Sequence, residues 1–337
     1  MTVDRRGFLG GASAAGATLA VAGSEAEAAL LREAKSLPPE AVGMLYDSTQ
    51  CIGCRACVDA CKEANQAFGA AVEIPAGHAG WNEQTWDSPE DLSGKTFNVI
   101  KAYLHGTRAT KDSVQDGYAF VKRHCLHCID PSCVSVCPVS AMRKDPVTGI
   151  VTHDPNACIG CRYCVYGCPF GVPQFQLDEP FGRIGKCQFC YHLQADGKIP
   201  ACCDVCPTGA SLFGKVRELQ AEAERRLALQ PGESYAFPRG RLGDDRPPNP
   251  APVGRYEPAV YGVKEAGGTQ VRYLAGVPFE KLGLPSVSEI APARMSEGIQ
   301  HTLYKGMVAP LVLLAGLLGF AWRSSRAEDV DRAGEEH

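Results

Sequence analysis

The spacing of the cysteines over residues 125–168 constrains this chain more than any other feature. Eight cysteines fall there in two runs. Cys125, Cys128, Cys133 and Cys137 follow C-x2-C-x4-C-x3-C-P, and Cys158, Cys161, Cys164 and Cys168 follow C-x2-C-x2-C-x3-C-P. In the second pattern three close thiolates hold three irons of one cubane, and the fourth, just before proline, turns away to a neighbouring one. Two such runs in tandem meet the needs of a pair of [4Fe–4S] clusters.

Two further runs flank this stretch. Cys51, Cys54, Cys57 and Cys61 repeat C-x2-C-x2-C-x3-C, with Lys62 in place of proline, so the chain after Cys61 is freer to continue as helix. Cys187, Cys190, Cys202 and Cys206 make C-x2-C-x11-C-x3-C-P. Cys202 is chosen over Cys203 because it alone stands three residues clear of Cys206, as in the other runs. The chain has 17 cysteines, and Cys203 is the one left outside four sets of four.

Sets of four soft thiolates suit four [4Fe–4S] clusters. Paired C-x2-C units also build zinc ribbons. Zinc, however, does not ask for a third cysteine two residues on, nor for the three Cys-Pro endings. No C-x-x-C-H occurs, which excludes c-type haem. His78, His105, His124 and His127 read as core or surface residues rather than ligands, because cysteines already fill each set. His124 and His127, with Arg55 and Arg162, lie where second-shell groups tune a cluster.

The rest of the chain sets the context. A net charge of -4 over 337 residues argues against nucleic-acid binding. Charged residues at 21% and hydrophobic ones at 45% are ordinary for a chain with a sizeable core. Residues 1–28 read as a twin-arginine signal peptide: Arg5-Arg6-Gly7-Phe8-Leu9, a Gly/Ala-rich run, then Ala26-Glu27-Ala28 as an A-x-A cleavage site. Export would normally turn so many cysteines into disulfides. The twin-arginine route is understood to carry proteins already folded around their cofactors, so this signal supports the cluster reading.

Strands are expected at residues 43–47 and, as a β-hairpin, at 97–104 and 117–122 within a cysteine-free insertion at about 63–124. A turn and strand are expected at 145–151. An amphipathic helix is expected at 215–229, closing a four-cluster domain over 43–230. Residues 231–300 read as a linker and irregular extension with one strand at 269–275. A single transmembrane helix is expected at 303–323, because residues 306–322 carry no charge and span about 25 Å as helix. Tyr304 and Trp322 suit the two interfaces. Arg323 and Arg326 put the charged tail, 324–337, in the cytoplasm.

With GMLYDST before Cys51, HCLHCIDPSCVSVCPVSAMRKDP, TGIV, CIGCRYC, GGTQV and IQHTLYKGMVAPL in place, the chain resembles the four-cluster ferredoxin-type subunits of membrane-bound respiratory oxidoreductases. More narrowly it resembles HybA-type iron–sulfur subunits of periplasm-facing [NiFe] hydrogenases, from residue 43 to the membrane segment. The resemblance implies an α+β fold of two ferredoxin-like 2[4Fe-4S] modules with a β-hairpin insertion and a C-terminal membrane helix. It implies ligation of one cluster by Cys51, Cys54, Cys57 and Cys206, and of a second by Cys61, Cys187, Cys190 and Cys202. A third would take Cys125, Cys128, Cys133 and Cys168, and a fourth Cys137, Cys158, Cys161 and Cys164. The pair within 125–168 would form the inner half of the row.

The implied function is electron relay between [NiFe] hydrogenase large and small subunits and a quinone-reactive integral membrane subunit. The implied place is the periplasmic side of the bacterial inner membrane, with the tail helix in the bilayer. A molybdenum enzyme such as a formate dehydrogenase uses an equivalent subunit and is the alternative partner. A catalytic site of the chain's own in 210–300 finds no support, because that region lacks convergent His, Cys or carboxylate clusters. No Walker loop, G-x-G-x-x-G or nucleophile elbow appears, so the chain reads as non-catalytic.

Overall fold

The segment VGMLYD has almost no polar side chain, and a strand of that kind is stable only when both faces are covered. In a computed structural model, which describes residues 31–68, 91–177 and 182–335, this segment is β1 (Val42–Asp47), buried along nearly its whole length. It leads to α1 (Ala56–Ala64). The strands β2 (Asn98–Leu104), β3 (Thr110–Lys111) and β4 (Gly117–His124) follow, then α2 (Ser132–Ser135) and the hairpin β5 (Met142–Lys144) and β6 (Val151–His153). After α3 (Tyr163–Tyr166) come β7 (Gln174–Phe175), β8 (Ile184–Gly185), α4 (Tyr191–Ala195) and α5 (Ala201–Asp204). Next are β9 (Ser211–Lys215), α6 (Val216–Ala228), β10 (Ser234–Phe237), β11 (Gly240–Arg241), β12 (Asn249–Pro252), β13 (Val271–Leu274) and α7 (Pro292–Glu335). The chain divides into two units, one of residues 34–293 and one holding residues from 294 onward with those before 34.

Within the first unit, a four-stranded sheet in the order β11-β9-β1-β13 forms the base. The period-two alternation of strands sends Leu45, Leu212 and Leu274 to one face, where Leu219 and Ala223 of α6 cover them. Met44, Tyr46, Phe213, Val271 and Tyr273 go to the other face and join a core that contains most of the buried cysteines. Each fully buried Leu in such a layer stabilises the fold by roughly 1.5–3 kcal/mol. Gly43 is required here, because a Cβ at that position would stand 2.1 Å from the carbonyl oxygen of Gln270.

The register of this sheet has a direct consequence for the cysteines. β1 pairs antiparallel with β9, and Tyr46 stands opposite Ser211. The chain leaving β1 reaches Cys51, and the chain entering β9 has just left Cys206, so the two ends meet. The β5–β6 hairpin repeats the device, with Met142 opposite His153. It brings the chain after Cys137 back to the chain before Cys158. The expected insertion hairpin is present: β2 pairs antiparallel with β4, and β3 adds a parallel edge. Residues 69–90 of the insertion, and the twin-arginine segment, lie outside the described residues.

Residues 231–300 differ from the linker expected of them. They supply β10 to β13, and β13 pairs in parallel with β1. Phe237, Val253 and Tyr261 are buried. The physical reason lies in a charge network. Arg226 is fully buried, with Nη1 donating to Asp47 at 2.9 Å and Nε to Glu222 at 2.9 Å. Tyr256 donates to Asp47 at 2.7 Å, Tyr235 donates to Glu222 at 3.1 Å, and Phe237 lies under the guanidinium. A buried guanidinium depends on the charged and polar groups around it, and three of these side chains come from the supposed linker.

In the second unit α7 is longer than the expected span. Pro292 opens it at the position where a missing N–H costs nothing. Within its apolar part, Pro292–Gly319, an 18-residue window has a mean hydropathy of 1.6 and lies wholly outside the protein interior. It is long and apolar enough to cross a membrane by length and composition. Arg294 Nε donates to the Arg32 carbonyl at 2.6 Å, and Arg32 pairs with Glu297 at the start of this helix.

Candidate metal centre

A C-x2-C loop must bend sharply if both sulfurs are to reach one centre. Here the second intervening residue takes a left-handed conformation in every run: Gly53 at φ 70°, His127 at 48°, Gly160 at 71° and Phe189 at 56°. Arg55 and Arg162 follow at 59° and 64° and cap α1 and α3, so CIGCRAC and CIGCRYC trace the same path. Glycine enters this region freely, whereas a side chain costs roughly 1–2 kcal/mol. His127 and Phe189 offset that cost by full burial, their rings packed edge-on at 4.8 Å.

The thiols gather in four groups. Cys51, Cys54, Cys57 and Cys206 line one cavity together with Tyr46, Ile100 and Thr208. Cys61 faces Cys187, Cys190 and Cys202. Cys128 faces Cys125, Cys133 and Cys168. Cys164 faces Cys158, Cys161 and Cys137. Cys202, not Cys203, stands by Cys61, while Cys203 is buried beside Cys202, Cys206 and Lys122.

The groups also lie within electrostatic reach of one another in series. Cys57 of the first lies within electrostatic reach of Cys202 of the second. Cys187 of the second reaches Cys125 of the third, and Cys133 of the third reaches Cys164 of the fourth. These electrostatic links favour 125–168 as one end of the row over its expected place as the inner half. The reason is the short β5–β6 hairpin, which holds the third and fourth groups side by side and leaves only the third facing Cys187.

Burial pushes Cys51 and Cys164 up to about 11 and drives Cys57, Cys61, Cys128, Cys133 and Cys187 well above the usual thiol range, with neighbouring thiols adding to the shift. Thiolates crowded like this repel one another unless a cation lies among them, and a bound metal removes their protons outright. The donor set fits iron–sulfur clusters. A lone zinc would need its sulfurs about 3.8 Å apart, and among the described residues no three His, Cys, Asp or Glu side chains are arranged for a single ion.

Peptide N–H groups donate to sulfur from Gly53 to Cys51 at 3.4 Å, from Ala141 to Cys137 at 3.2 Å and from Phe189 to Cys187 at 3.4 Å. His127 receives the Val151 N–H on Nδ1 at 3.0 Å, which leaves its proton on Nε2. That Nε2 is buried with no hydrogen-bond partner among the described residues, a donor that an inorganic sulfide would satisfy.

Other side chains depart from the sequence reading. His124 donates from Nδ1 to the Cys125 carbonyl at 2.8 Å, which orients the loop, and His105 lies far along the hairpin. Arg162 stacks on Phe175 at 4.3 Å. His78 lies outside the described residues. Asn65 was missed. Its Nδ2 stands 3.7 Å from Cys61 Sγ and 3.6 Å from Cys190 Sγ, bridging two thiols of one group. Its position four residues after Cys61, one helical turn on, is the signal that could have found it. The buried Lys122 and Lys186 and the half-buried Lys144, also missed, bring ammonium groups to the thiols.

Loops of this geometry on a mixed α/β scaffold define an iron–sulfur protein of the ferredoxin type. A 4Fe-4S dicluster domain matches residues 117–216. The Hydrogenase-2 operon protein HybA of Escherichia coli O157:H7 is 44% identical over 341 residues, which cover 99% of this chain and 99% of that protein. The chain belongs to the HybA family of iron–sulfur subunits. Similarity extends to the formate dehydrogenase-O iron–sulfur subunit of Escherichia coli K12, 33% identical over 84% of this chain and 81% of that one. The nitrate-inducible formate dehydrogenase iron–sulfur subunit of the same organism is 31% identical over 83% and 82%.

Proposed function

We propose that this chain is a non-catalytic electron-transfer subunit carrying four [4Fe–4S] clusters, which relays electrons between the large and small subunits of a [NiFe] hydrogenase and a quinone-reactive membrane subunit. The observation that carries this reading is the unbroken series of thiol groups. The ligand sets are Cys51, Cys54, Cys57 and Cys206; Cys61, Cys187, Cys190 and Cys202; Cys125, Cys128, Cys133 and Cys168; and Cys137, Cys158, Cys161 and Cys164. The first two sets make one ferredoxin-like module and the last two a second. The bound clusters supply one-electron redox chemistry. The protein holds them in line, excludes water, and aims N–H groups and ammonium charges at the sulfurs.

The hydrogenase partner is favoured by the 44% identity over full length to a hydrogenase operon protein, against 33% for the formate dehydrogenase subunit. The twin-arginine segment and the apolar α7 support export in folded form and anchoring on the periplasmic side of the inner membrane.

The full-length chain purified from its own membranes should carry about sixteen irons and co-purify with hydrogenase subunits. Cys57→Ser and Cys190→Ser should each remove a different paramagnetic resonance signal. Co-purification with a molybdenum enzyme would move the chain to the formate dehydrogenase reading, and hydrogen turnover by the chain alone would defeat the relay.

A further inference from the structure

Lys122 lies on β4 with no solvent exposure. Its Nζ donates to Ser211 Oγ at 3.1 Å and stands 3.7 Å from Met44 Sδ, both neutral groups. The charges acting on it come from sulfur: Cys202, Cys57 and Cys203, with a further hydrogen bond to Cys202. A buried ammonium needs anionic partners, and the hydrogen-bonded Cys202 with Cys57 and Cys203 nearby supplies them. In return its charge acts on Cys57 of the first thiol group and on Cys61, Cys190 and Cys202 of the second.

Two other lysines that act on the thiols, the half-buried Lys144 and the buried Lys186, are engaged differently. Lys144 donates to the carbonyls of Cys128 at 3.0 Å and Gly149 at 2.7 Å and to Gln270 Oε1 at 2.8 Å. Lys186 donates to the carbonyls of Val151 and Cys187. Their hydrogen bonds tie loops together. Lys122 fixes little backbone, so its place is explained by the anions beside it.

We propose that Lys122 is a buried cation shared by the first two cluster sites, where it raises the reduction potential of both. The inference rests on the ligand sets proposed above. A cluster gains negative charge when it accepts an electron, and a fixed ammonium nearby, shielded from water, stabilises that reduced state. Because the charge stands at the junction, it acts on both sites in the same direction and keeps electron exchange between them near balance. At a fixed ambient potential the effect is about tenfold or more in the ratio of reduced to oxidised cluster.

The test is a redox titration of the full-length, iron-loaded chain, followed by paramagnetic resonance, in wild type, Lys122→Met and Lys122→Arg. Cys57→Ser and Cys61→Ser identify the two signals concerned. In Lys122→Met those two should need a lower potential, equivalent to about a tenfold loss of reduced form, while the other two stay in place and iron content is unchanged. Lys122→Arg should restore both. Two unmoved signals, a shift in only one, or an equal shift in all four would overturn the proposal. Should Lys122→Met lose iron, Lys122→Arg decides: native behaviour at both sites supports the shared cation, and a shifted or missing signal rejects it. If Cys57→Ser and Cys190→Ser remove the same signal, it is the ligand sets that fail.

Discussion

Two kinds of C-x2-C loop coexist in this molecule. In residues 51–54 and 158–161 the second intervening residue is glycine, the preceding isoleucine is bare at 58% and 65% exposure, and Cys54 and Cys161 reach the surface. In residues 125–128 and 187–190 that residue is His127 or Phe189, each only 1% exposed, and Leu126 and Gln188 are buried too. Spacing and the left-handed turn at the second intervening residue are the same in all of them. What differs is whether the turn residue carries a buried ring of its own. In the relay proposed above, the glycine loops belong to the two ends of the row, where electrons would pass to other proteins. The ring-bearing loops meet each other in its interior, where water is excluded.

The largest effect expected from breaking this contrast comes from the interior. Cys190→Ser should interrupt the row and lower hydrogen-driven quinone reduction by the complex by more than the roughly 10–100-fold that loss of an outer-shell group costs. Unchanged turnover in that variant would show that electrons bypass the second thiol group. A stability test of the same loop is Phe189→Gly. It relieves the left-handed strain of roughly 1–2 kcal/mol but leaves a cavity worth about 3–5 kcal/mol. The net loss of about 2–3 kcal/mol is measurable by calorimetry on the iron-loaded chain, and a gain in Tm would mean that strain outweighs packing.

The two glycine loops should not respond alike. A Cβ on Gly53 would stand 2.6 Å from the buried Phe120 ring, whereas one on Gly160 would find Phe175 at an ordinary 3.6 Å. Gly53→Ala should therefore cost about 2–3 kcal/mol and Gly160→Ala only the conformational strain of about 1 kcal/mol. Equal losses would locate the cost in the backbone alone. The smallest effect belongs to Ile52→Ser and Ile159→Ser, which should alter stability by less than about 0.5 kcal/mol. They should slow electron exchange with partner subunits in rapid-mixing experiments, because they strip apolar surface beside the exposed thiols. Slower partner reduction by neither variant would remove these loops as docking points.

Much of this was legible in the residues. The β2–β4 hairpin and the β1 strand follow from runs of β-branched, aromatic and apolar side chains, and α6 follows from its spacing of Leu219, Ala223 and Leu227. The same helix hides what the pattern could not reveal. Glu222 and Arg226 read as part of a solvated face, yet both are fully buried, because Asp47, 179 residues away from Arg226, lies against them. Lys122 sits on a strand like any surface lysine, and only the fold brings Ser211 of β9 and Cys202 of α5 to its ammonium. Residues 231–300 look irregular because their strands are short and rich in Pro and Gly. They are ordered by partners far off in sequence.

The sequence by itself determined the local chemistry of the thiols. Three cysteines within a few residues can meet one centre whatever the rest of the chain does, because the C-x2-C turn is a matter of backbone conformation at a single residue. Which distant thiol joins each triplet, and in what order the groups stand, was decided by tertiary structure. Tyr46 opposite Ser211 brings Cys51 to Cys206, and Met142 opposite His153 brings Cys137 to Cys158. Strand register is set by which faces are buried, a property of the whole core. The row of thiol groups, with its bare ends and its closed interior, exists only once that core has formed.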